Sequence, residues 1–284
     1  MKETRPSETA QRVAMQRAVH QLLDDPKVFD DPVALRIIGR ENALALQANP
    51  HQCETTPLAS YLRAFIAARS RYAEDELALG VRRAVSQYVI LGAGLDTFAY
   101  RNPYPEGALH VIEVDHPATQ AWKRARLDET GIILPRDLTF APVDFETRTL
   151  EEGLRDAGYD PARCTFFSWL GVTEYLTTEA VMTTLRFVAS APNGSGIIFD
   201  YMISPSLLTP DQRARFDALA QRVGSAGEPW QAFFDPEVLT KDLRAMGFGY
   251  VKDMGQEEIN ARYFKDRKDR LRVGSLSHLM NAQV

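Results

Sequence analysis

The sequence predicts an α/β fold, a doubly wound and mostly parallel sheet of seven strands preceded by a cap of helices. Three observations carry this. From Gln87 onward, short apolar runs alternate with helix-like segments. The first run, Tyr88 to Leu91, breaks into the glycine turn Gly92-Ala93-Gly94. The next, Leu109-His110-Val111-Ile112-Glu113-Val114-Asp115, delivers two carboxylates about twenty residues on, where nucleotide-binding folds hydrogen-bond a ribose.

Before Gln87 the pattern is helical. Residues 8–23 form an amphipathic helix with Val13, Ala14, Ala18, Leu22 and Leu23 near one face. Asp31-Pro32 reads as a helix start, an N-cap acid followed by proline, and the segment after it carries Leu35, Ile38 and Leu44. Thr56-Pro57 opens a helix running to about Leu79, with Leu58, Leu62, Phe65 and Ile66 on a stripe. Strands are expected at 87–91, 109–114, 139–142, 163–168 and 196–202, with helices near 117–130, 147–157 and 177–190. The turn cluster Pro192-Asn193-Gly194-Ser195-Gly196 feeds the fifth strand. Thr209-Pro210 starts a helix with Phe216, Leu219, Ala220 and Val223 inward, and Asp235-Pro236 starts another that closes at Gly247. Phe248 to Met254 and Leu276 to Ala282 complete the count as an antiparallel hairpin at the sheet edge. The whole chain, 1–284, reads as one domain, with a helical cap over 1–80 and an α/β core over 81–284.

Composition narrows the function. An apolar fraction of 45% supports a large core, and a net charge of −5 without a basic block argues against nucleic acid as a partner. Cys53 and Cys164 lie far apart, a usage that fits a reducing cytoplasm. No secretory apolar core follows Met1 to Pro6, and no apolar run is long enough to span a bilayer. The expectation is a cytoplasmic protein that acts on a small molecule, with no membrane or nucleic-acid partner. The histidines are scattered, so no metal site is expected.

The glycine turn lets the backbone bend sharply and approach a ligand, and a helix following it would aim free N–H groups there. The glycines stop at Gly94, so the third glycine of the dinucleotide fingerprint is missing. This disfavours NAD and leaves a mononucleoside. Glu113 and Asp115 share a face of their strand and cannot both be buried without a partner. Asp115, at the carboxyl end, is the stronger ribose acceptor; the alternative is a cap on the helix opening at Pro117. At about 100° per residue, Arg69 falls in the middle of the Leu58–Ile66 stripe and Arg71 on the opposite side. A buried guanidinium needs an anion, a ligand or an internal acid.

The run Ile90-Leu91-Gly92-Ala93-Gly94-Leu95-Asp96-Thr97-Phe98-Ala99-Tyr100-Arg101 resembles motif I of the leucine carboxyl methyltransferase family. The resemblance is nearer to its bacterial branch, which includes O-methyltransferases of polyketide pathways. Glu113-Val114-Asp115-His116-Pro117 resembles the second motif, Trp169-Leu170-Gly171-Val172-Thr173-Glu174-Tyr175-Leu176-Thr177 the fourth-strand motif, and Ala261 to Arg267 another recurring stretch. The resemblance implies a class I methyltransferase (Rossmann-like) fold, S-adenosyl-L-methionine as cofactor, and extra helices over the site, here a lid near 203–235. It also implies that Gly92, Ala93 and Gly94 cradle the cofactor and that Arg69 holds its methionyl carboxylate. Asp144 and Phe145, after the third strand, would then meet the adenine; for Asp144 the alternative is a helix cap before Thr147. Leu170 is taken as a cofactor-binding position and stands where many relatives carry glutamate after the tryptophan; if that glutamate meets the cofactor, its role is lost here, passes to a backbone group, or falls to Glu174, four residues on.

The reaction so implied is methyl transfer to an oxygen of a small-molecule acceptor, with Tyr175 and Tyr201 as candidates to orient it. A carboxylate is favoured, because a phenol of pKa about 10 benefits from a positioned base and none has a motif. The alternatives are a phenol O-methyltransferase, a nicotinamide-dependent oxidoreductase and a non-catalytic nucleoside-binding protein.

Overall fold

The computed structural model describes residues 8–54, 59–144, 147–225 and 229–284. Thr56-Pro57, Leu58 and Phe145 lie outside the described residues. The helices are α1 (Glu8–Leu23), α2 (Ala34–Ile37), α3 (Arg40–Ala48), α4 (Ala59–Val81), α5 (Pro117–Glu129), α6 (Leu150–Asp156), α7 (Thr178–Ala189), α8 (Pro210–Ser225), α9 (Pro236–Met246) and α10 (Gln256–Tyr263). The strands are β1 (Gln87–Leu91), β2 (His110–Asp115), β3 (Leu138–Pro142), β4 (Thr165–Trp169), β5 (Gly196–Met202), β6 (Tyr250–Met254) and β7 (Ser277–Gln283).

The strands form one sheet in the order β3-β2-β1-β4-β5-β7-β6. The first five are parallel, and β7 runs antiparallel between β5 and β6. The expected edge pair is therefore present, with α10 in its connection rather than a tight turn. Strands β1, β4 and β5 are buried along their whole length, as central strands covered on both faces must be. The chain reverses its direction of winding between β1 and β4, so the crevice at their carboxyl ends is the topological switch point of the sheet.

One face of the sheet packs on α4, through Phe65, Ala68, Tyr72 and Leu77, and on Ile259 of α10. The other carries α6, α7 and α9 through Leu150, Leu154, Val181, Leu185, Leu239 and Leu243. A third cluster joins α1, α2 and α3 to Leu95, Leu127 and Ile132. Of the 1–80 segment, α1–α3 thus form the cap proper, while α4 is a layer of the sheet.

The local signals act where they occur. Asp235 accepts hydrogen bonds from the amides of Glu237 (2.9 Å) and Val238 (3.3 Å), and Gly247 ends α9 at φ +110°. Asp31 behaves differently from the N-cap its sequence context suggests. It accepts from the Val33 amide at 3.0 Å, but α2 starts only at Ala34 and spans four residues. Its carboxylate is buried against Arg17 (2.9 Å) and Thr97 Oγ1 (2.7 Å).

Candidate active site

The site lies at the carboxyl ends of β1, β2, β4 and β5. Gly92 leaves β1 at φ +64°, and a Cβ there would strike the side chain of Val172 in the loop after β4. The Ala93 amide donates to the Val114 carbonyl at 3.0 Å, tying the turn to β2. Gly94, at φ +45°, donates its amide to Asp115 Oδ2 at 2.5 Å, and a Cβ on it would come within 3.1 Å of Ala10 in α1. The cap helix thus rests directly on the glycine turn.

The α-helix expected after this turn does not form. Residues 95–97 continue irregularly into a 3₁₀ turn, Phe98–Arg101. The cause is where the side chains go. Leu95 joins the cap cluster, and Phe98 packs edge-on to Tyr88 of β1 with ring centroids 4.9 Å apart. Thr97 bonds Asp31, and Arg101 ion-pairs with Glu74 of α4. Arg17 in α1 donates to the Leu95 carbonyl. Motif I spends these residues fastening the cap, and no helix N-terminus faces the crevice there.

The two acids of β2 separate. Glu113 is fully buried, 2.6 Å from Lys123 Nζ of α5, with Tyr100 OH 3.4 Å from each oxygen. Burial pushes its carboxyl up to about 7 despite Lys123. Its partner is internal. Asp115, at the strand end, accepts from the Gly94 amide and from the His116 amide (2.7 Å), and a carboxylate with two such bonds keeps further lone pairs for a ligand. Neither acid caps α5: His116 does, its Nδ1 accepting from the Ala118 amide at 3.2 Å. Asp144 follows β3, and its carbonyl accepts from Thr147 and Arg148. It does not cap α6, which starts with a Thr149–Glu152 capping box.

Across the crevice, Arg69 is buried on α4 and Arg71 is exposed, paired with Asp75. Arg69 Nη1 donates to Asp200 Oδ2 of β5 at 2.7 Å, and Asp200 Oδ1 accepts from the Gly171 amide at 2.6 Å. Gly171 sits at φ +75°, where a Cβ would come within 2.6 Å of the Arg69 guanidinium. Only glycine admits the arginine there. Leu170 turns instead into the α4 side of the core. Beside the pair stands Glu174, in the short 3₁₀ turn Thr173–Tyr175. Its Oε2 is buried without a hydrogen-bond partner among the described residues. Burial first, then the Asp200 charge, pushes its carboxyl up to about 8, against the pull of Arg69.

The lid returns onto this turn. Gln231 donates its amide to the Glu174 carbonyl and its side chain to the Tyr175 carbonyl, both at 2.7 Å. Behind it, Phe216 of α8 packs on Trp230 and Phe233. Tyr201 is not brought to this cluster. It alternates to the opposite face of β5 from Asp200, and its hydroxyl donates to Asp253 Oδ1 at 2.7 Å. Burial, then the Asp253 charge, raises it far above its ordinary range. Asp200 is the residue that sequence reasoning missed. Its signal was a lone acid inside the apolar run Ile197-Ile198-Phe199-Asp200-Tyr201, since a buried charge implies a partner.

A mostly parallel seven-stranded sheet, β7 antiparallel between β5 and β6, with a glycine turn at the switch point, defines a class I methyltransferase fold. Solved structures share it. A candidate methyltransferase from Thermobifida fusca YX superposes with a TM-score of 0.55 at 18% identity, over 95% of this chain and 93% of its own. A DUF574 family protein from Streptomyces avermitilis MA-4680 gives 0.57 at 12%, over 99% and 98%. The profile of the leucine carboxyl methyltransferase family matches residues 10–189. The chain belongs to that family and is an S-adenosylmethionine-dependent methyltransferase. YktD of Bacillus subtilis (strain 168), named as a candidate S-adenosyl-L-methionine-dependent methyltransferase, is 32% identical over 99% of both chains. A protein of Mycolicibacterium smegmatis (strain ATCC 700084 / mc(2)155) named in the same way is 32% identical over 85% of this chain and 82% of its own.

Proposed function

We propose that the protein transfers the methyl group of S-adenosylmethionine to a carboxylate oxygen of a small-molecule acceptor, forming a methyl ester. When bound, the cofactor supplies an activated methyl group whose carbon passes to the acceptor oxygen as its bond to sulfur breaks. The residues fit that cofactor on one observation above all. A buried guanidinium stands near a carboxyl group with one buried oxygen that has no hydrogen-bond partner among the described residues, at the ends of β4 and β5, the complement of a zwitterionic amino acid.

Arg69 uses one nitrogen on Asp200 and keeps further N–H donors for the methionyl carboxylate. Glu174 takes the ammonium, in the role vacated by Leu170. Asp115 accepts from the ribose hydroxyls, with Gly92, Ala93 and Gly94 beneath, and Asp144 is the adenine acceptor. The protein's own part in the transfer is to align the acceptor and exclude water, which is proximity and orientation rather than acid–base work.

The carboxylate follows from the family's name reaction and from what surrounds the crevice. Tyr201 is held by Asp253, and His116 is occupied in capping α5. A carboxylate of pKa about 4 is ionised at neutral pH and needs no base. A phenol would call for a base, and the pair His278–Asp253, 2.8 Å apart, sits with Tyr201 on the opposite face of β5 from Asp200. An acceptor screen with methyl-labelled cofactor decides. The ester reading expects a product that releases methanol in mild alkali and a chemical step nearly flat from about pH 6 to 8.5. An alkali-stable product whose rate rises tenfold per pH unit would establish the phenol reading in its place.

A further inference from the structure

A second concavity lies along α4 from the cofactor crevice. It is a cleft of about 750 Å³, within the range of small-molecule sites, formed by the first turn of α4 and the segment that follows α10. Its walls include Tyr61, Asn260, Phe264, Arg270, Leu271 and Arg272. Tyr61, Phe65 and Arg69 succeed one another at four-residue intervals on α4, so they wind along one side of the helix. Eight residues at 1.5 Å each put Tyr61 about 12 Å along the axis from Arg69. The cleft is thus the next station along the helix from the proposed cofactor clamp.

Its charges are out of balance. Asp269 is satisfied within its own loop, accepting from Arg267 Nε (2.9 Å) and from the Leu271 amide (3.0 Å). Asn260 is likewise occupied, accepting from the Val273 amide at 2.9 Å. Among the described residues Arg272 has Tyr61 as its polar partner, donating to its hydroxyl at 3.2 Å with the guanidinium 5.7 Å from the ring centroid. Arg270 has no hydrogen-bond or ion-pair partner among the described residues. In a chain of net charge −5, two guanidinium groups without a counter-charge therefore share one cleft. The backbone of Arg270 is also held in the left-handed region, at φ +56°. A side chain there is strained, and such strain at a cleft points towards function.

We propose that this cleft seats the far end of the methyl acceptor, and that the acceptor carries a carboxylate there, on an aromatic or apolar body. The inference rests on the methyltransferase reading of the adjoining crevice. Arg270 and Arg272 take the carboxylate, for which the planar guanidinium fork is suited. Tyr61, Phe264 and Leu271 line the body of the ligand. An acceptor methylated on one carboxylate at the crevice is then a dicarboxylic acid, and its second acid gives recognition rather than chemistry.

The test uses the full chain and ligand-observed NMR, with and without saturating S-adenosylhomocysteine. The probes are aryl dicarboxylates, each matched with the analogue in which both acids are primary amides. The diacids should bind at least tenfold more tightly than the amides, and the difference should vanish in Arg270→Ala/Arg272→Ala. Arg270→Gly relieves the positive φ, so it should melt above the wild type while losing acid preference. Equal binding of acid and amide, no binding by any diacid, or a preference that survives in the double variant would overturn the proposal. Calorimetry with S-adenosylhomocysteine should give the same affinity for both variants as for the wild type. A wild type that fails to bind it would count against the cofactor reading alone, because the acid–amide comparison is also made without cofactor.

Discussion

At the scale of residues, Arg69 and Asp200 come together because each would be costly to bury without the other. Taking one away leaves the other charge buried and unpaired, a loss of about 3–5 kcal/mol. Arg69→Ala is therefore expected to lower stability by that amount in chemical denaturation and to weaken S-adenosylhomocysteine binding more than tenfold. A variant with Arg69→Met and Asp200→Leu together should recover much of the stability and none of the affinity, which separates folding from binding. Arg71→Ala should be silent in both assays, because Arg71 is exposed and makes only a surface pair with Asp75. The phase of Arg69 was legible because Phe65 and Ile66 are buried. The stripe itself was less accurate: Leu62 is 49% exposed, while Arg63, off the stripe, is buried against Asp24. The clamp as a whole was not legible, since residues 69, 171, 174 and 200 come from three remote segments and only the sheet brings them together.

At the scale of elements, the segment after the glycine turn departs most from its sequence pattern. A strand, a glycine turn and an apolar stretch usually make a helix over a phosphate, yet here 95–101 is drawn out to meet α1, α2 and α4. Asp31 is the hub: its carboxylate receives Arg17, Thr97 and, at 3.4 Å, Arg101, all of them buried or nearly so. No local rule announces this, because Asp31-Pro32 fits an N-cap and its partner Thr97 lies far along the chain. Asp31→Ala should cost about 3–5 kcal/mol by leaving the buried Arg17 without a counter-charge, while Arg101 keeps Glu74. Hydrogen exchange should speed up in α1 and in 95–101, while the amides of β1 and β4 stay protected, because cap and sheet have separate cores. Uniform loss of protection across the sheet would show that the cap is not a separable unit.

At the scale of the whole molecule, the sheet was readable in advance and its last connection was not. Period and glycine punctuation located all seven strands within about two residues. They could not place α10, a short polar helix between β6 and β7 that helps form the cleft beside Arg270. On the proposed reading, the carboxyl edge of one sheet carries the cofactor cradle, with the cap and the acceptor cleft beside it.

The cradle is tested most directly by counting protons. In the free protein burial and the Asp200 charge hold the Glu174 carboxyl up to about 8, so at pH 7 its protonated form prevails. Pairing with the cofactor's ammonium favours the ionised form, so binding must release that proton. Calorimetry of S-adenosylhomocysteine at pH 7, in buffers of different ionisation enthalpy, should therefore show release of more than about half a proton. The release should fade above about pH 9, where Glu174 is already ionised, and should be absent in Glu174→Gln. Binding with no proton release in the wild type, or with the same release in Glu174→Gln, would contradict the clamp.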